Sequence, residues 1–569
     1  MIQLGDEETI GSALHRAADV FGELPLVAAP HNPNRDYHPL GYELTYQNSA
    51  LAVEELARQY LAAGYGPGHR VGLFLDNRPE HFVHKLALNV IGACCVPVNP
   101  EYRASELAYL IDHAKLDLIV LLAVRRTIVE SVLMTTFEKP VLVEIDQFEA
   151  LLRSPRRRRE KDAVRSSTSA SILYTSGTTG RPKGCVLSHR YELAAGAWYA
   201  SRGHLAEVRE RSERLYNALP LYHVNASVLS FFCMLLTGGC QIQSDRFQPS
   251  RWWQEVRQSH ATIIHHLGVI VPLLLDQPES ELDRMHSVRF GFGAGVEPQL
   301  QAKFEKRFGF PLLEIWGMTE IVRVLVDNVP PRCVGSRAFG PAVPGLQVKV
   351  VDDAGNEAGL NAPGEMLVRH SEAQPRKDFF TGYLDDPEAT ESAWKDGWFH
   401  TGDVVVKDES GMLHFVDRRK NIIRRSGENI AAAEVEALLM THPLIEHAAV
   451  LAVKDELREE EVLACVVLIA GVRAQALDNG RRVEIASEVH DFCRERLAYY
   501  KAPGWILFKG EIPKTGTQKI QKHNILSSRD DPRHEPGIVD LRDRKKRIAT
   551  SASGRDTTGA NNMRLEART

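Results

Sequence analysis

The chain predicts an α/β protein: a large N-terminal multi-layer α/β body with mostly parallel sheets, followed by a smaller C-terminal α+β domain. Three observations carry this reading. At 569 residues the chain exceeds what one ordinary hydrophobic core supports. Helix-period stretches alternate with short apolar runs as far as about residue 320, the pattern of strands and crossover helices in a parallel sheet. Beyond Asp417 a shorter set of helix and strand patterns follows, and from Ser527 onward the chain is polar with few large apolar residues.

Taken in order, Leu51–Ala62 reads as an amphipathic helix and Arg70–Leu75 as a buried strand. Glu80–Ile91 is again helical and Ala93–Val98 again extended. Residues 154–169, SPRRRREKDAVRSSTS, break the rhythm and read as an exposed linker. Ser171–Tyr174 is a short strand, Cys185–Ser188 another, and a helix starts near Tyr191. Glu297–Phe308 is a helix with Leu300, Phe304 and Phe308 on one face. In the smaller domain, Ala431–Leu439 and Ile485–Leu497 read as helices, and Ala448–Val453 and Leu463–Ile469 as strands. The expected division is 1–417, 418–526 and a disordered tail over 527–569.

Composition excludes several classes. Hydrophobic content of 44% and charged content of 25% are those of a soluble protein, and a net charge of −5 gives no reason to expect nucleic acid. Eight scattered cysteines without any C-x-x-C point to a reducing, cytoplasmic setting rather than a disulfide scaffold or zinc knuckle. The N-terminus lacks the apolar core of a signal peptide, and no apolar run is long enough to span a membrane. His260, His265 and His266 lack a third-ligand pattern and read as structural or surface histidines.

The stretch YTSGTTGRPKG, residues 174–184, fits neither the helical nor the strand period. Its glycines let backbone N–H groups converge on an anion, its hydroxyls add donors, and Lys183 adds a positive charge. It is not G-x-x-x-x-G-K-[ST], so it is no Walker loop. Gly291-Phe-Gly-Ala-Gly295 lacks the last glycine of the dinucleotide fingerprint and reads as a tight strand-to-helix crossing.

The loop resembles the phosphate-binding signature of the adenylate-forming (acyl-CoA synthetase, AMP-binding) superfamily. Five further stretches resemble that family's motifs in the same order: Leu219–His223, Trp316–Glu320, Trp398–Asp403, Phe415–Ile430 and Pro513–Lys519. The wording of the Phe415–Ile430 and Trp316–Glu320 stretches is most similar to crotonobetaine/carnitine-CoA ligases and to medium- and long-chain fatty-acid-CoA ligases.

The resemblance implies an ATP-dependent carboxylate–CoA ligase that forms an acyl-adenylate, then a thioester, releasing AMP and pyrophosphate. Thr175, Ser176, Gly177, Thr178, Thr179 and Gly180 would hold the β- and γ-phosphates, with Lys183 adding charge. Glu320 would help hold Mg²⁺, Thr319 would donate to the α-phosphate, and Trp316 with Gly317 would form the adenine site. His223 would stand beside the acyl site; Gly293, Ala294 and Gly295 would line the same binding region. Asn225, Ser227, Trp198 and Val322–Val326 fall near positions that shape the acyl pocket in relatives. Asp403 would anchor the ribose and Arg418 would reach the ribose or phosphate. Gly427 would let the pantetheine arm of coenzyme A pass, Lys420 would be the hinge of a mobile smaller domain, and Lys519 would be the adenylation lysine. Arg419, Arg424 and Arg425 read as a solvated basic stripe, and Gln518 replaces the family's glycine. The partner is a small-molecule carboxylic acid, and the family allows a homodimer. A carrier-protein or luciferase-like acceptor and a catalytically weakened binding protein are the alternatives.

Overall fold

The computed structural model describes residues 1–102, 104–175, 182–418, 421–425, 428–455, 458–473, 478–497, 499–514, 520–526 and 531–545. The chain divides into two compact units, the first running from Met1 to Lys420 and the second beginning at Asn421.

The first unit contains three sheets. One is seven-stranded: the strands Arg70–Phe74, Cys94–Pro97, Leu118–Leu121, Val141–Glu144 and Ser169–Thr175 pair in parallel, and two antiparallel strands, Lys183–Ser188 and Gly382–Tyr383, extend one edge. The second is eight-stranded and parallel through its centre, where Ile263–Leu267 pairs with Phe290–Ala294 and that strand with Leu312–Met318. Both parallel cores are apolar on two faces, as sheets covered by helices must be. The predicted helices form as Tyr46–Ala63, Pro79–Val90, His189–Ala200 and Pro298–Phe308. Thr45 and Ser188 cap two of them, each side chain accepting an N–H of the first turn.

The third sheet, residues 338–418, is antiparallel, with Trp398–Lys407 at its centre beside Pro363–Arg369 and Met412–Arg418. The alternating pattern that ends near residue 320 does not extend to it.

A charged pair lies inside the first unit. Lys85 Nζ sits 3.0 and 2.9 Å from the two Glu192 oxygens, and neither side chain is exposed. Ser171, on the strand leading to the glycine-rich loop, also donates to Glu192. This pair ties helices Pro79–Val90 and His189–Ala200 to that strand.

Residues 154–169 run along the body rather than free of it. Arg157 binds the Asp117 carboxylate with two donors at 2.7 Å, and the Arg157 carbonyl contacts His69 Nε2.

The second unit has its own core under a hairpin of two long strands, Ile445–Asp455 and Glu459–Leu468. The expectation of a tail from residue 527 is corrected over 531–545. Ile538–Asp540 pairs with the strand Trp505–Phe508, and the Leu541 N–H donates to the Gly504 carbonyl. Val539 and Leu541 are buried, which a composition-based reading could not anticipate. Arg425 also departs from the basic-stripe reading. It is 3% exposed, with its Nε donating to Glu461 at 2.8 Å, while Lys545 Nζ takes the other oxygen.

Candidate active site

Ser176, Gly177, Thr178, Thr179, Gly180, Lys420, Gly427, Gln518 and Lys519 lie outside the described residues. The stem of the glycine-rich loop is described, and it is an antiparallel hairpin: Thr175 and Lys183 face each other, as do Tyr174 and Gly184. Helix Ala104–Ala114 braces both sides of this stem. Tyr109 donates its hydroxyl to the Pro182 carbonyl at 3.0 Å, and His113 Nδ1 lies 2.8 Å from the Tyr174 hydroxyl. A hairpin stem distinguishes this loop from a strand-to-helix phosphate loop.

Thr319 and Glu320 are the two turn residues of a second hairpin, between Leu312–Met318 and Ile321–Val326. A glutamate on a two-residue turn normally faces water, yet Glu320 is 7% exposed. Its Oε1 accepts the Tyr383 hydroxyl at 2.8 Å, and its carbonyl accepts the Phe380 N–H at 3.1 Å. The Thr319 carbonyl accepts the Tyr191 hydroxyl at 2.6 Å. Lys183 Nζ stands 4.6 Å over the Tyr383 ring, so one tyrosine touches residues of two motifs. Sequence reasoning did not single out Tyr383; the Gly-Tyr pair carries no spacing signal of its own.

Trp316 precedes that turn by three residues and is buried in the main core. Its indole Nε1 donates to Asp403 Oδ2 at 2.8 Å. The other Asp403 oxygen lies 2.7 Å from Arg418 Nε. Asp403 and Arg418 are register partners on adjacent antiparallel strands, which fixes the ion pair. Asp403 is almost wholly buried and Arg418 half-exposed, so the arginine is the solvent-facing member.

The segment Gly293-Ala294-Gly295 closes the strand Phe290–Ala294. A side chain at Gly293 would press on the His266 carbonyl, 2.1 Å from an added Cβ, so only glycine fits. Gly295 takes positive φ, and the N–H groups of Gly295 and Val296 both donate to Glu314, on the neighbouring strand. Burial pushes the Glu314 carboxyl up to about 7 against those two donors.

His223 starts the segment into a π-helical turn, Asn225–Ser230, and its carbonyl accepts the Ser227 hydroxyl at 2.9 Å. Asn225 Oδ1 meets His265 Nδ1 at 2.7 Å, and His265 Nε2 meets the Tyr199 hydroxyl at 3.0 Å. Phe292 stacks on Tyr199 at 4.2 Å. Burial lowers His265 and His266 to about 3, so both are neutral near pH 7. Trp198 instead donates to the Val324 carbonyl and carries Arg202 and Arg323 on its ring. Among the described residues no three His, Cys, Asp or Glu side chains gather as a metal site, and no helix is long and apolar enough to cross a membrane.

Comparison with known proteins agrees with this geometry. Residues 27–384 match the AMP-binding enzyme family, and residues 434–519 match the AMP-binding enzyme C-terminal domain. Crotonobetaine/carnitine–CoA ligases from Citrobacter koseri and Salmonella agona are each 28% identical over 502 residues, covering 85% of this chain and 93% of the relative. A Mycobacterium tuberculosis fatty acyl CoA synthetase is similar in structure, with a TM-score of 0.65 and 25% identity over 90% of this chain and 97% of that one. The o-succinylbenzoate CoA synthetase of Bacillus subtilis, solved with its acyl-adenylate intermediate, shares the fold, with a TM-score of 0.75 and 22% identity over 92% and 99% of the two chains. The fold and the paired motifs are those of an adenylate-forming ligase. This chain belongs to the AMP-binding enzyme family. It is an ATP-dependent acid–thiol ligase that works through an acyl-adenylate and then a thioester.

Proposed function

We propose that the acid activated by this enzyme is a short-chain carboxylic acid and that free coenzyme A is the acceptor. The single observation carrying the first part is the packing around Asn225. His265, which meets Asn225, is fully buried and packed against Tyr199 and Phe292, and we read this filled core as leaving a short acyl pocket. Both neutral histidines add polarity without charge. The similarity to crotonobetaine/carnitine–CoA ligases supports the same reading.

Activation joins two anions, so the site must offset crowded negative charge. In this reading Lys183 and the loop amides take the outer phosphates, Asp403 accepts from the ribose hydroxyls, and Arg418 supplies a cation at its rim. Thr319 donates toward the α-phosphate. Glu320 is the buried carboxylate that would hold Mg²⁺, a hard cation that takes its other ligands from phosphate and water. Bound Mg²⁺ neutralises phosphate charge. Lys519 stabilises charge at the reacting carboxylate, so Lys519→Ala lowers acyl-adenylate formation by roughly 10²-fold and spares thioester formation from supplied adenylate.

The test is a series of acids from acetate to palmitate, with trimethylammonium-bearing acids included. Pyrophosphate release and acyl-CoA, read by mass spectrometry, are measured for each. Turnover confined to the short acids with matching acyl-CoA is the expected result. Best turnover on palmitate overturns the chain-length reading, and adenylate without thioester overturns coenzyme A as acceptor.

A further inference from the structure

Tyr383 lies between two motifs that are far apart in sequence. Its hydroxyl donates to Glu320 Oε1 at 2.8 Å, and the face of its ring carries Lys183 Nζ at 4.6 Å.

The backbone around it is tied to the same two motifs. Tyr383 and Gly382 pair with Cys185 and Val186, on the strand that leaves the glycine-rich loop. The Leu384 N–H donates to the Gly184 carbonyl at 2.8 Å, and the Phe380 N–H donates to the Glu320 carbonyl at 3.1 Å. On the other side, Thr390 Oγ1 accepts the Tyr383 N–H at 2.9 Å. The start of this segment is pinned as well, because Asp378 binds both Arg190 and Arg323. The ring has little freedom to turn away from either partner.

We infer that Tyr383 is a positioning residue that sets the Glu320 carboxylate and the Lys183 ammonium against each other, so that the metal-binding and phosphate-binding halves of the ATP site are held by one side chain. The inference rests on reading Glu320 as the Mg²⁺ carboxylate. Its physical content is that a hydrogen bond to a metal-binding carboxylate fixes which way its oxygens point, while the ring quadrupole holds the ammonium in place. Without the hydroxyl the carboxylate rotates and loses a charge-assisted partner in a buried position.

The experiment is binding, not turnover. Mn²⁺ in the presence of ATP is titrated into the full-length protein and followed by electron paramagnetic resonance, and ATP affinity without metal is measured by calorimetry. Five proteins are compared: wild type, Tyr383→Phe, Tyr383→Leu, Glu320→Gln and the double variant of Tyr383→Phe with Glu320→Gln. Tyr383→Phe keeps the ring and removes only the hydroxyl; it should weaken Mn²⁺ by about 10-fold or more while metal-free ATP affinity stays within about twofold of wild type, since the ring under Lys183 remains. The double variant should bind no worse than Glu320→Gln alone, because the hydroxyl acts only through that carboxylate. Tyr383→Leu, which removes the ring too, should additionally lower metal-free ATP affinity. Melting curves identify any variant that fails to fold, and Tyr383→Phe, which only deletes an oxygen, carries the test alone if Tyr383→Leu does not fold. Wild-type Mn²⁺ affinity in Tyr383→Phe beside a weakened Glu320→Gln overturns the inference and leaves the Glu320 reading standing. Additive losses in the double variant overturn it as well. Unchanged Mn²⁺ affinity in Glu320→Gln removes the metal reading of that residue, and the inference falls with it.

Discussion

The indole N–H of Trp316 donates to Asp403 Oδ2 at 2.8 Å, joining residues 87 positions apart in the chain. This bond links the motif ending in Glu320 to the expected ribose anchor, and it is made by a side chain whose ring is buried. Phenylalanine would keep the packing and lose the donor, leaving a buried carboxylate oxygen short of one partner. A hydrogen bond to a charged group is worth about 1.5–3 kcal/mol. Trp316→Phe is therefore expected to weaken ATP binding by about 10-fold or more. Calorimetry with ATP checks this, and unchanged affinity would show that Asp403 does not depend on the indole.

The Lys85–Glu192 pair is fully buried, so its two charges depend on each other. Removing one leaves the other uncompensated in an apolar interior, at a cost of about 3–5 kcal/mol. Lys85→Met and Glu192→Gln should each lower the denaturant midpoint sharply. The double variant Lys85→Met with Glu192→Leu should recover much of the loss. A double variant as unstable as the sum of the two would refute the pairing argument.

Glu314 sets a pH dependence. Burial raises its folded value from 4.5 to about 7, so the folded protein holds a proton that the unfolded chain has released. The resulting stability is complete below about pH 4.5 and is lost as pH rises through about 7. Glu314→Gln cannot titrate, so its stability should fall less steeply than wild type between those limits. Parallel denaturant melts at pH 5, 6, 7 and 8 compare the two, and identical slopes would rule Glu314 out as the titrating group.

In the second unit, Glu461 lies between Arg425 and Lys545 with all three side chains buried. It also lies over Gly504, where an added Cβ would come within 2.6 Å of its side chain. Glu461→Gln leaves two cations facing each other without a counter-charge, and a loss of about 3–5 kcal/mol is expected. Hydrogen exchange of strand Glu459–Leu468 should accelerate in that variant and in a chain ending at Asp530. Wild-type protection in the shortened chain would mean that residues 531–545 contribute nothing to this unit.

The local alternation, and hence the parallel cores, was legible in the residues alone, because apolar period and turn residues act over a few neighbours. The glycine-rich loop was legible from its own residue types, whereas Thr319, Glu320 and Asp403 were reached only through the family resemblance of the motifs that contain them. Tertiary structure decided the rest. That Arg425 is a buried ion pair rather than a solvated charge depends on Glu461, 36 residues away on another strand. That residues 531–545 fold depends on the open edge of Trp505–Phe508 accepting a strand, which no composition reveals. Tyr383 reaches Glu320 across 63 residues only because Gly382–Tyr383 pairs with the strand beyond the loop. Such contacts are set by strand register and by which faces are left to bury, and both are settled only when distant segments meet.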